Sequence, residues 1–359
     1  MLLVAEELAR RGHAVTVATL EPPTHDFFEV PAPLRRVVVG PGLRCNATPV
    51  ELLRVATRSR RLRDELTATR PDVVIAVEHR VAVTVAAAML TAPLPPLLVW
   101  EQGAPRGIRL RLSLALLRRL LYPRTGGVVV VSEGLAGRLS WLARARRHVI
   151  RNPAMRIPDE MIPERLGELV DRSKRWVVTM GRLHRVKGYD LLLRSWALAA
   201  PRLADWQLIV IGEGAERARL EALRDELGLG ASVALVGEVH RPFGLLRRAE
   251  LYVLSSRAEG CPMTLIEAMS AGLPIVAFDC PSGLADLVSD GDNGLLVPRE
   301  DVAAMAEALG RVLEDDALRA ELAVGSAGMA KKFDGVEIGE RWQRLLEATA
   351  GEAGRVPVG

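Results

Sequence analysis

"LYVLSSRAEGCPMTLIEAMSAGLPIVAFD", residues 251–279, is the stretch that decides the fold. Leu251, Tyr252, Val253 and Leu254 read as a buried strand. A turn holding Gly260 and Pro262 follows, then a helix over "MTLIEAMSAG", then a second apolar strand over "LPIVAFD". A strand, a helix and a strand in succession require a parallel pairing. The same stretch carries two carboxylates, Glu259 and Glu267, with seven residues between them. A buried carboxylate without a partner is expensive, so the pair is expected to face a cleft that holds polar matter.

The rhythm extends in both directions. "AVTVATL", "LRRVVVG", "PDVVIAVE", "PPLLVWEQG" and "GGVVVV" read as strands in the first half. "LLVAEELARRGH", "PVELLRVATRSRRLRDELTATR" and the basic "IRLRLSLALLRRLLY" read as helices. In the second half, "RWVVTM", "DWQLIVI", "ASVALV", "LYVL" and "LPIVAF" alternate with helices over "GYDLLLRSWALAAP", "AERARLEALRDELGLG", "RPFGLLRRAE" and "MTLIEAMSAG". Near-continuous Val/Ile/Leu strands that alternate with helices mark parallel sheets covered on both faces. The prolines of "RNPAMRIPDEMIPE" interrupt this pattern as a linker would. The expected architecture is two doubly wound α/β domains, over 1–158 and 159–335, facing a cleft. A last helix over 336–359 is expected to cross back to the first domain.

At 359 residues and 49% hydrophobic, the chain is folded and too long for one ordinary core. Its three cysteines and six histidines show neither disulfide nor metal spacing, which predicts a reducing, cytoplasmic setting and no metal. No window is apolar enough to span a bilayer, and the start does not read as a secretory signal. The net charge of +4 hides an asymmetry. Residues 1–158 carry 24 arginines against 12 acidic residues, a balance of +12, and the remainder stands at −8. A basic first half points to an anionic partner, among them an anionic membrane surface against which the helix "IRLRLSLALLRRLLYPR" could lie. Its leucines more simply pack on the sheet.

Ligands of open parallel sheets bind at the carboxyl ends of the strands. Five consecutive strand ends in the second half carry glycines, charges and small residues. They are "GRLHRVKG" with Arg182 and Lys187, "GEG" with Gly212, "GEVHR" with Glu238 and Val239, "SSRAEGCPMT", and "DCPSG". A helix that starts near Pro262 turns the free amides around Gly260, Cys261, Pro262, Met263 and Thr264 toward the cleft, and such an end attracts phosphate. Arg182 and Lys187 supply opposite charge. The chain has only four lysines against 44 arginines, which singles out Lys187. Glu267, one turn into the helix, is placed to accept two ribose hydroxyls. Glu259, in the loop, would reach a second polar ring.

These motifs resemble the E-x7-E signature of the retaining glycosyltransferases of family four, which have the GT-B fold. "GRLHRVKG" is similar to the family's G-R-L-x-x-x-K-G, and "VVVSEGLAGRL" to its strand–Ser–helix. "EGCPMTLIEAMSAGLPIVAFDCPSGLADLVSDGDNGLLVP" is similar to its donor-site run. The resemblance covers nearly the whole chain and implies a nucleotide-sugar donor held by the second domain and an acceptor held by the first. Glu259 would bind sugar hydroxyls and steady developing positive charge, Arg182 and Lys187 would neutralise the departing diphosphate in place of a metal, and Glu267 would bind the ribose. No cofactor is implied beyond a UDP-sugar co-substrate. Where the family carries a histidine in the first domain, "VWEQGAP" places Glu101 and Gln102, and Gln102 is the stronger candidate. The family also begins with a strand and a Gly-rich loop ahead of the first helix, whereas Met1 already stands at that helix. The first sheet is therefore expected to be one strand short.

The implied activity is retaining transfer of a hexose or N-acetylhexosamine from a UDP-sugar to an envelope glycan, a lipid-linked acceptor or a small acceptor. It would take place in the cytoplasm or at the inner face of the membrane, with no nucleic acid. Two alternatives share the architecture: an inactive nucleotide-sugar-binding protein, and a nucleotide-sugar epimerase. An epimerase needs acid/base carboxylates and histidines across the cleft, which the sequence does not offer. A glycogen-type phosphorylase needs a longer chain and a Schiff-base lysine.

Overall fold

The computed structural model describes residues 1–20, 22–25, 29–39, 62–89, 95–103, 112–155, 157, 161–167, 169–280, 284 and 286–353. The chain divides into two compact units. One comprises Met1–Pro153 with the chain from Gly335 onward, and the other Ala154–Asp334.

The first unit opens with α1 (Leu2–Arg10), which ends where Gly12 adopts φ +92°. Strands β1 (Thr16–Thr19) and β2 (Arg35–Val38) pair in parallel as a sheet of their own. Residues 62–69 are helical; the rest of the helix expected from residue 49 lies outside the described residues. Then come β3 (Val74–Val77), α2 (His79–Met89), β4 (Leu97–Glu101), α3 (Leu112–Leu121), β5 (Gly127–Val130), α4 (Glu133–Gly137) and β6 (Arg147–Val149). The four strands β3–β6 form a second parallel sheet in chain order. Among the described residues, β1 and β3 each leave one edge without a partner strand. Ser132 caps α4, its Oγ accepting from the Leu135 amide at 3.3 Å, which accounts for this serine without chemistry.

The second unit contains β7 (Arg175–Met180), α5 (Tyr189–Ala199), β8 (Trp206–Ile211), α6 (Arg217–Glu226), β9 (Val233–Gly237), α7 (Phe243–Arg248), β10 (Leu251–Leu254), α8 (Met263–Ser270), β11 (Ile275–Phe278), β12 (Gly294–Val297), α9 (Val302–Glu314) and α10 (Asp316–Ala330). Six parallel strands run β12-β11-β10-β7-β8-β9. Trp176, Val178 and Met180 enter one core and Val177 the other, so both faces of the sheet are covered. That double cover is why these strands read as unbroken apolar runs. The strand order reverses between β7 and β10, the switch point at which such sheets bind ligands.

The boundary between the units, Pro153/Ala154, falls inside the proline-rich stretch, five residues ahead of the expected division at 158/159. The Ala154 amide donates to the Phe333 carbonyl at 2.7 Å, and Ala154, Met155, Ile157 and Ile162 pack on the second unit's core. The last helix, α11 (Gly335–Ala353), belongs to the first unit. Its Trp342 is fully buried, with its ring centroid 4.7 Å edge-on from that of Trp100 on β4. Arg11, just past α1, donates to the Val336 carbonyl at 2.7 Å.

Candidate active site at the switch point

The loops that leave β7 and β10 are laced together. The Arg257 amide donates to the Val186 carbonyl at 2.8 Å, and Ser255 Oγ donates to the Lys187 carbonyl at 2.9 Å. The Arg257 fork grips Asp190 through two bonds of 2.8 and 2.9 Å and also donates to the Arg185 carbonyl at 2.8 Å. Gly188 sits at φ +67°, where an added Cβ would lie 2.0 Å from the Ser255 carbonyl oxygen. Only glycine lets the two loops approach this closely. His184 closes the turn before Lys187, its Nδ1 accepting from the Val186 amide at 3.2 Å. That is a capping role.

This lacing delivers Lys187 onto Glu259. Its Nζ lies 2.6 Å from Glu259 Oε1, and both side chains are largely buried. Ser256 Oγ donates to the same carboxylate oxygen. The structure thus brings together two residues 72 positions apart that the sequence assigned to one site. Arg182 is exposed on the same loop with no ion-pair partner among the described residues, so its charge is available to a ligand.

Glu267 stands apart. It is half-buried on α8, with no hydrogen-bond or ion-pair partner among the described residues. Burial alone pushes its carboxyl up from 4.5 to about 7. No side chain caps α8, whose N-cap is Pro262; the Leu265 amide donates to the Pro262 carbonyl at 3.0 Å, and the amides of Met263 and Thr264 stay available to a ligand. The helix start is held in place by a bond the sequence reading missed. Tyr252 OH donates to Thr264 Oγ1 at 2.8 Å and reaches the Met180 carbonyl at 3.4 Å. Gly260, Cys261 and Met263 are half-buried at this end, and the side chains of Cys261 and Met263 pack against the core.

The rim continues across β8 and β9. Gly212 has φ +142°, and a Cβ there would come 2.0 Å from the Gly181 carbonyl oxygen. Its amide donates to the Gly237 carbonyl at 2.8 Å, so three loops form one backbone platform. Glu238 is exposed, whereas the Val239 side chain is buried in the core and could offer a ligand only its main chain.

In the first unit the strand end of β4 separates the two candidates there. Glu101 is buried; it accepts from Arg118 Nη2 at 2.6 and 2.7 Å and from Tyr122 OH at 2.7 Å. Its lone pairs are committed to a structural cluster, which removes it as a catalytic candidate. Gln102 is half-buried, and its Oε1 accepts from Asn152 Nδ2 at 2.8 Å, which leaves its own amide hydrogens to face a ligand. His79, at the start of α2, escaped the sequence reading. Burial lowers its imidazole below the usual range, and nearby Glu101 partly offsets this.

An uncapped helix end, two cations and two carboxylates thus gather at the switch point of the second unit's sheet. Residues 1–154 match the family model described as Glycosyltransferase Family 4, and residues 164–326 match the model for Glycosyl transferases group 1. The chain belongs to this glycosyltransferase family. It is 26% identical to an uncharacterized glycosyltransferase of Haemophilus influenzae, over 96% of this chain and 94% of that one. It is 32% identical, over 61% of this chain and 59% of the relative, to the N-acetylgalactosamine-N,N'-diacetylbacillosaminyl-diphospho-undecaprenol 4-alpha-N-acetylgalactosaminyltransferase of Campylobacter jejuni. Among solved structures, Anabaena HepE in complex with UDP and glucose shares the fold with a TM-score of 0.79. That match is 20% identical and covers 97% of this chain and 95% of HepE.

Proposed function

We propose that the chain is a retaining, metal-independent transferase that moves a hexose or N-acetylhexosamine from a UDP-sugar to a hydroxyl of an envelope glycan, a lipid-linked acceptor or a small acceptor. The observation that carries this reading is the Lys187–Glu259 pair at the β7/β10 switch point, next to the unpartnered Glu267 on the uncapped helix α8. The family membership, the UDP bound to HepE and the diphospho-undecaprenol in the name of the Campylobacter relative all support it.

In this reading the diphosphate sits at the N-terminus of α8, flanked by Arg182 and Lys187. Those two cations supply the charge that a metal supplies elsewhere. Lys187 turns from Glu259 toward the diphosphate, which frees Glu259 for hydroxyls of the sugar. Glu267 accepts the two ribose hydroxyls. Gly260, Cys261, Pro262, Met263, Thr264, Gly212, Glu238 and Val239 line the donor. The bond from the anomeric carbon to the β-phosphate oxygen breaks, and the acceptor oxygen attacks from the same face. The acceptor proton passes to the leaving phosphate, and Gln102 donates a hydrogen bond near the reacting sugar.

Peripheral contact with an anionic membrane fits α3, which exposes Leu112, Leu116 and Leu120 along one stripe beside Arg119. Sedimentation with phosphatidylglycerol vesicles that is lost in Leu116→Glu would support it, and equal sedimentation would refute it.

The deciding experiment for the donor site is calorimetric titration with UDP, and with GDP as comparator, without divalent metal. Saturable UDP binding that is weakened in Lys187→Ala is expected. Glu259→Ala should keep nucleotide affinity and lose transfer. Binding with no transfer to any acceptor would favour an inactive nucleotide-sugar-binding protein. No binding of either nucleotide by a folded chain would refute the site.

A further inference from the structure

The first unit contains a groove of about 360 Å³ between β6, the edge strand of its larger sheet, and α11. It is lined by Arg147, His148, Val149, Ile150, Arg341, Arg344 and Leu345, with no acidic residue among them. The groove is open to solvent rather than an enclosed cavity.

Several arginines of this chain find carboxylates: Arg118 with Glu101, Arg175 with Glu250, Arg217 with Glu213 and Arg257 with Asp190. The guanidinium groups at this groove do not. Among the described residues, no carboxylate pairs with Arg147, Arg341 or Arg344. Arg341 Nη2 donates to the Val149 carbonyl at 2.6 Å, and Arg147 Nη1 to the Ala136 carbonyl at 3.3 Å. Like charges gathered around one groove repel. An anion in the groove relieves that repulsion. Planar guanidinium forks match the oxygens of a phosphate group in particular.

We propose that this groove is a phosphate-binding site of the first unit, separate from the donor site, which takes a phosphomonoester or diphosphate group. Arg341 helps to brace the edge strand through Val149, whereas the exposed Arg344 faces the ligand and Arg147 in the lining adds its charge. The group could be borne by a soluble molecule or by a lipid headgroup; the recognition chemistry is the same. The site stands on residues outside the second unit and does not depend on how the donor is read.

The test uses the full chain in low salt without nucleotide, and the difference between the parent and variants of the first unit isolates this site. One arm titrates inorganic pyrophosphate, and the other measures binding to vesicles of phosphatidic acid, whose headgroup is a phosphomonoester, against neutral phosphatidylcholine. The parent should bind in at least one arm. Arg344→Glu and Arg147→Gln should each weaken that binding by roughly tenfold or more, with melting temperature and UDP affinity unchanged. Loss in the pyrophosphate arm identifies a soluble phosphate source, and loss in the vesicle arm alone identifies a lipid headgroup. If the parent binds neither, or if both variants bind as the parent does, the proposal falls. Arg344 is exposed on α11, so its replacement tests the site even if the Arg147 variant folds poorly.

Discussion

Glu267→Gln should make the protein more stable at neutral and alkaline pH while weakening nucleotide binding. In the folded chain the Glu267 carboxyl is pushed up from 4.5 to about 7 by burial, with no cation to offset it. The folded state therefore holds this proton more tightly than the unfolded state. That contribution is complete below pH 4.5 and is lost as pH rises from 4.5 to 7. Well above pH 7 the buried charge costs the folded state roughly 3 kcal/mol. Glutamine does not titrate, so the variant avoids this loss. The stability difference between variant and parent should be near zero at pH 4.5 and grow to roughly 3 kcal/mol by pH 8.5. For a unit of this size that is on the order of 5–10 °C in melting temperature. Nucleotide binding should move the other way. Ribose hydroxyls donate to the ionised carboxylate, so parent affinity for UDP should rise between pH 6 and 8, and the variant's should be weaker and flat. Scanning calorimetry across pH and titration with UDP read the two effects. A variant that is less stable than the parent at pH 8.5, or that shows the same pH dependence of UDP affinity, would refute the reasoning.

Other substitutions probe the frame around the site. Arg118→Ala strands Glu101 as an unpaired buried carboxylate and should cost about 3–5 kcal/mol, read by denaturant unfolding. Gly212→Ala drives a Cβ to 2.0 Å from the Gly181 carbonyl at a φ that side chains rarely adopt. It should lower the melting temperature and UDP affinity together, because the loop platform must shift. Trp342→Ala empties the contact with Trp100 and should cost about 3–5 kcal/mol while leaving UDP affinity in the second unit intact.

The strands the sequence showed most plainly are those covered on both faces. β7, β8 and β10 are fully or almost fully buried along their length, and nothing but an apolar run fits there. β6 and β12 went unread for opposite reasons. β6 is a three-residue edge strand of Arg147, His148 and Val149, half-buried throughout, so no apolar pattern is demanded of it. β12 is only four residues long, and it opens on Gly294, which packs against Ile275 of β11. The division falls early in the proline-rich stretch because prolines mark where a chain can turn, whereas the boundary is set by what the following residues pack on. Ala154 and Met155, both ahead of Pro158, already pack on the second core.

Three carboxylates show how far the site itself was legible. Glu101 closes a strand, Glu259 lies in the loop after one and Glu267 stands on the helix that follows, each in an apolar setting that marks it as a candidate. Their partners separate them. Glu101 meets Arg118 and Tyr122, which come from the helix after its strand and the turn that follows it, so its charge is consumed locally. Glu259 meets Lys187 across a gap that only the β7/β10 pairing closes, so its partner is visible once strand order is known and not before. Glu267 meets no one, and its carboxyl rises to about 7 as a result. A charge that folding leaves without a partner in a half-buried position is destabilising unless something outside the chain completes it. Sequence motifs mark where such residues stand. Only the packing separates the carboxylate that serves the fold from the one that awaits a ligand, and by that criterion Glu267 is the residue of the three least explained by the protein alone.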